Sequence, residues 1–97
     1  MSATKRATLG GLTIAESDRT EMVEGHHYFP PESVDWDRLD RARAMSVSPW
    51  KGLASYYHVD AGGERAKAAA WQYRHPFPWI RRIRGHVAFW GPIAIED

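Results

Sequence analysis

The chain has 97 residues, a length for which one domain with one modest core is the expectation. Thirteen basic residues against twelve acidic ones leave a net charge of +1, which argues against a polyanion as the main partner. The lack of cysteine removes disulfides, thiolate metal sites and a cysteine nucleophile, and no apolar run approaches the ~18 residues of a membrane span.

Residues 1–5 read as a loose end without an apolar signal core, so a cytoplasmic protein is expected. Gly10-Gly11 separates two β-prone runs, which signals a hairpin because tight hairpin turns need positive φ. Leu12 and Ile14 alternate with Thr13 as on a half-buried strand. Asp18-Arg19 makes a second turn, and residues 20–24 can return as a strand. His26 and His27 are adjacent and so point to opposite faces of any strand, which argues against a shared metal site. Pro31 can open a helix with Glu32 near its positive end, so residues 31–39 are predicted as a short helix packing through Val34, Trp36 and Leu39.

Residues 40–45 are charged and weakly patterned, and read as a loop leading into a strand. Ser48-Pro-Trp-Lys-Gly52 has turn chemistry. Residues 53–59 are a strong strand candidate and Asp60-Ala-Gly-Gly-Glu64 a hairpin loop. Residues 65–73 carry a conflict: alanine and lysine favour a helix, whereas Trp71 and Tyr73 sit two apart as on one face of a strand. The hairpin context decides for a strand. Residues 78–83 predict a helical turn ended by Gly85, with Trp79, Ile80 and Ile83 at helical spacing. Residues 86–90 predict a strand, followed by a short edge near the C-terminus. The predicted fold is mainly β: a small single domain, an antiparallel sheet curled into a partial barrel or sandwich, with one or two short helices.

Three blocks, Val23-Glu-Gly-His-His-Tyr-Phe-Pro-Pro31, Ser-Pro-Trp-Lys-Gly-Leu-Ala-Ser-Tyr-Tyr57, and Ala-Ala-Trp-Gln-Tyr73 continuing to Ile83-Arg-Gly-His-Val-Ala-Phe89, occur in this order. Together they resemble the DUF427 family, a bacterial domain of unknown function, from about Leu12 to Trp90. The resemblance implies a compact, mostly β domain standing alone or in tandem. Some descriptions of that family carry a nucleotidyltransferase label, from which no reaction follows, because fold does not imply function. Many members have cysteine where this chain has Ser48, whose hydroxyl can still donate or accept a hydrogen bond.

Lys51 is the first candidate for a site. Its ammonium can bind a phosphate or carboxylate, or burial can lower its pKa toward that of a base; the plainer reading is a solvated charge with its stem on Trp50. His86, opening a strand, is the candidate general acid or base, against the commoner role of a satisfied structural histidine. Tyr28, Tyr57 and Trp71 are the candidate walls of a pocket, against a plain core role. Tyr56 and Tyr57 must point to opposite faces, so only one can join a given pocket. Arg81, Arg82 and Arg84 form a short basic patch after Trp79 that could hold single-stranded nucleic acid; a solvated face is the ordinary reading.

The expected function is binding of a small anionic metabolite in an aromatic pocket, by a monomer or a homodimer, with no metal and no cofactor implied and any reaction undefined. The rival is a non-catalytic interaction module using an exposed Trp79 or Trp90.

Overall fold

The computed structural model describes residues 4–97. The loose end expected over residues 1–5 falls largely outside that range, and Lys5 itself opens a strand. Nine strands follow in order: β1 (Lys5–Leu9), β2 (Leu12–Ser17), β3 (Glu21–Val23), β4 (His26–Tyr28), β5 (Leu39–Ser48), β6 (Gly52–Ala61), β7 (Glu64–Tyr73), β8 (Val87–Phe89) and β9 (Ala94–Glu96). They form three antiparallel sheets: β2-β1-β9, the hairpin β3-β4, and the four-stranded β5-β6-β7-β8. The sheets curl around one another without closing into a barrel, as the strand and turn pattern predicts.

Gly10 and Gly11, with φ of 59° and 79°, make the two-residue turn between Leu9 and Leu12. Positive φ at both central positions matches the right-handed twist of the flanking strands. The same geometry joins β6 to β7 through Gly62-Gly63. The conflict over residues 65–73 resolves as a strand, because β7 pairs with β6 on one side and β8 on the other.

Two local expectations fail. The helix over residues 31–39 is instead two 3-10 turns, Pro31–Ser33 and Trp36–Arg38, separated by extended Val34. Val34 bridges Ala15 and is buried in the core, and the Asp35 carboxylate caps the second turn. A tertiary strand contact thus outweighs a continued helix. The loop expected over residues 40–45 is the first half of β5. Its charged residues face solvent because β5 is an edge strand, which gains from a polar, charged outer side.

The four-stranded sheet separates two apolar clusters. One face packs against β1 and β2 through Ala7, Leu9, Ile14, Phe29, Val59, Ala70, Val87 and Phe89. The other face, with Ala54, Tyr73 and Ala88, is covered by the β3-β4 hairpin and the turn Pro78–Ile83, which contribute Val23, Tyr28, Ile80 and Ile83. The period-2 alternation of strands sends neighbouring residues of β6 and β7 into different clusters. Among the described residues no helix is long and apolar enough to cross a membrane.

Candidate functional site

Lys51 sits in the loop between β5 and β6. The Ser48 hydroxyl accepts a hydrogen bond from the Lys51 backbone N–H (3.3 Å), and the Lys51 carbonyl accepts from Phe77 N–H (3.1 Å). Gly52 then turns the chain with φ of 118°, and a Cβ there would lie 3.4 Å from the His75 carbonyl oxygen. The loop is therefore clamped on both sides, and it drives the lysine inward. Lys51 is only 9% exposed, with its ammonium 5.3 Å from the Trp50 ring centroid and 5.5 Å from that of Tyr73. Those faces attract a cation through the ring quadrupole.

The ammonium forms an ion pair with the Glu24 carboxylate. Glu24 belongs to the two-residue turn of the β3-β4 hairpin, with φ of 52° followed by 82° at Gly25. Side chains such as glutamate rarely adopt that left-handed conformation, which asparagine or glycine would take more readily. The turn thus carries backbone strain at a residue whose side chain reaches the buried lysine, and strain of this kind tends to cluster at functional sites.

Lys51 and Glu24 border a cavity of about 360 Å³, within the ~300–1,000 Å³ range of small-molecule pockets. Its walls are aromatic: Tyr28, Tyr56, Trp71 and Tyr73, with His26 and Trp90 completing the lining. The Trp71 indole donates to the Tyr28 hydroxyl at 3.1 Å, and His26 meets the Trp71 ring edge-on at 4.9 Å. The Tyr56 hydroxyl shares a 3.0 Å hydrogen bond with Ser46. Since Tyr28 accepts from Trp71, its own proton is left to donate elsewhere.

Burial pushes the Tyr28 phenol up, against the hydrogen bond from Trp71. Burial also pushes the Tyr73 phenol up, against the nearby Lys51 charge. Both are neutral donors near pH 7. For Lys51, burial is the largest influence and pulls its pKa down, but the hydrogen bond with Glu24 and the neighbouring Tyr28 and Tyr73 together outweigh it, leaving a net upward shift. Of the two readings of Lys51, this upward direction supports the anion-binding ammonium over a lysine lowered toward a base. Glu24 moves down, chiefly through its hydrogen bond with Lys51.

Of the residues singled out in the sequence, Lys51, Tyr28 and Trp71 meet at this cavity, and Tyr57 and His86 lie outside its lining. Alternation along β6 places Tyr56 on the cavity face. Tyr57 turns to the opposite core, where its hydroxyl donates to Gln72 Oε1 at 2.8 Å and its ring meets Trp36. His86 stands just before β8, past the end of the strand ladder, and its Nδ1 lies 3.0 Å from the Arg84 carbonyl. The cavity thus gathers the anion-holding candidate Lys51 without the acid–base candidate His86. Sequence reasoning also missed Glu24, whose partner lies 27 residues away. Arg81, Arg82 and Arg84 are exposed on and just after the turn Pro78–Ile83, with Arg82 paired to Glu21 at 3.3 Å.

An ammonium, neutral phenols and an indole facing one cavity can hold and orient a ligand. They supply no paired carboxylates and no nucleophile beside a base. The fold and the cavity define a small antiparallel β domain with an aromatic, lysine-anchored pocket. The chain belongs to the family described as "Domain of unknown function (DUF427)", which it matches over residues 1–95. No curated protein matches it.

Proposed function

We propose that the cavity binds a small ligand carrying one anionic group and a flat body. The Lys51 ammonium anchors the anion, the Tyr28 hydroxyl donates to it, and Tyr56 and Trp71 stack against the flat part. The observation that carries this reading is a nine-tenths buried ammonium at an aromatic cavity, paired with a carboxylate from a strained, half-exposed turn. Glu24 is then the internal stand-in for the ligand's anion, and it swings to solvent when the ligand enters.

Benzenesulfonate, which stays ionised across the working pH range, is a suitable probe, read by thermal shift, since a ligand that binds only the native state raises stability. Glu24→Gln should tighten its binding by about two- to fivefold, the worth of one partly exposed ion pair no longer competing. Weaker binding to Glu24→Gln would remove Glu24 from the stand-in role. No shift with either protein across anionic aromatic probes would sink the ligand reading itself.

A second reading, a protein-interaction module, is favoured by an exposed aromatic shelf. Trp79 is 66% exposed, stacks on Phe77 at 5.0 Å, and donates its indole N–H to the Trp50 carbonyl at 2.7 Å. Under this reading the wild type should self-associate in sedimentation at high concentration, and Trp79→Ser should be monomeric. A wild type that stays monomeric would dismiss self-association through the shelf.

A further inference from the structure

We infer that the domain has a second, separate ligand site, on the opposite face of the four-stranded sheet, that takes a phosphate monoester. The site arises from the pairing of β5 with β6. Arg41 lies opposite Tyr57 and Met45 opposite Ser55, so three residues of β5 face the single residue Tyr56. Such a bulge bends its strand outward and re-aims the side chains that flank it. Beneath it lies a cavity of about 210 Å³ lined by Arg41, Met45, Leu53, Ser55, Arg74 and His75.

The position explains why the hollow is left open. Ser55 and Gln72 pair across β6 and β7 on the face that carries the first apolar cluster, and alternation puts Leu53 and Arg74, each two residues further along and Arg74 just past the end of β7, on the same side. Sheet β2-β1-β9 covers the middle of that face, and the hollow lies toward its end, where Met45 and Leu53 are about half exposed, at 49% and 50%.

The polar groups set the ligand class. The Arg41 guanidinium donates to the Ser55 hydroxyl at 3.1 Å, which fixes one edge of the fork, while its plane lies over the Tyr57 ring at 5.9 Å. Ser55 is 5% exposed and keeps its own proton to donate. Arg38, Arg65 and Arg82 each have a carboxylate partner. Among the described residues, Arg41 and Arg74 have none; both are exposed, and unlike the other arginines without a carboxylate partner they border this cavity. Two guanidiniums without a carboxylate partner, Arg41 through the edge not held by Ser55, match a doubly charged tetrahedral oxyanion better than a carboxylate, since each can present paired N–H donors. A phosphate monoester carries close to that charge at pH 7, its second pKa being about 6. Met45 and Leu53 offer an apolar wall to its organic part. The volume is below the ~300 Å³ of ordinary pockets, so a head group fits rather than a whole cofactor.

The test uses the intact chain, with phenyl phosphate and inorganic phosphate followed by backbone amide shifts. Phenyl phosphate should move the amides of Ser55 and Arg74 and bind more tightly than inorganic phosphate. Arg41→Gln with Arg74→Gln should weaken it by about tenfold or more, as loss of charge-assisted hydrogen bonds requires. Arg81→Gln, an exposed arginine elsewhere, should leave it unchanged. Equal losses in both proteins would reduce the effect to general electrostatics. Shifts confined to Tyr28 and Trp71 would place the phosphate in the first cavity. Either result overturns the second site, as does a failure to bind. Phenyl phosphate and a short phosphotyrosine peptide, compared directly, distinguish a free metabolite from a phosphorylated chain.

Discussion

Lys51→Met is expected to weaken benzenesulfonate binding by about 10- to 100-fold, the usual cost of removing one hydrogen bond to a charged group. Methionine keeps the length and apolar bulk of the lysine stem, so the cavity keeps its shape and only the charge is lost. The folded state should barely change. Glu24, the group left without a partner, has a side chain 51% exposed to water, which can solvate it. Isothermal titration together with a melting curve separates the two effects. Unchanged affinity in a folded Lys51→Met protein would show that the ammonium is not the anchor, whatever Glu24→Gln does.

The largest stability effect is expected at Phe29. Its ring is completely buried and meets Phe89 edge-on at 5.6 Å. Its backbone exchanges two hydrogen bonds with Val87, at 2.8 and 2.9 Å, which ties the end of the β3-β4 hairpin to β8. Phe29→Ala keeps those backbone bonds and removes the ring. Loss of transfer energy plus the cavity left behind should cost about 3–5 kcal/mol, a large part of the ~5–15 kcal/mol total for a domain. The melting temperature should fall by roughly 12 °C or more, at about 4–8 °C per kcal/mol for this size. Urea unfolding checks the value. A loss under about 1 kcal/mol would mean that the site collapses around the smaller side chain far more completely than core substitutions normally permit.

Both predictions depend on contacts that differ in how far they could be read from the chain. The strands β6 and β7, the Gly10-Gly11 hairpin and the division of Tyr56 from Tyr57 follow from turn chemistry and period-2 alternation, which are local properties. Alternation could say that the two tyrosines part company, but not which one faces a cavity. That depends on which face the β3-β4 hairpin covers. Glu24 was invisible as a partner of Lys51 because the pairing needs that hairpin to fold across the sheet. The charged stretch of β5 looked like a loop because an edge strand with a solvated outer side loses the apolar pattern that marks inner strands. The helix expected after Pro31 was overridden by the extended contact of Val34 with Ala15. The misses at Glu24 and at residues 31–39 are long-range contacts overruling a local preference.

The placement of Trp71 has a practical outcome. Its indole forms part of the cavity wall, half-buried, hydrogen-bonded to Tyr28 and in edge contact with His26. Trp90 lines the same space, whereas Trp36 and Trp79 do not. An occupant that displaces solvent from this wall changes the polarity around the first pair and not the second. The protein therefore carries a built-in optical reporter: a ligand arriving at Lys51 should alter emission from Trp71 and Trp90, and Trp71→Phe should diminish that signal without any attached dye.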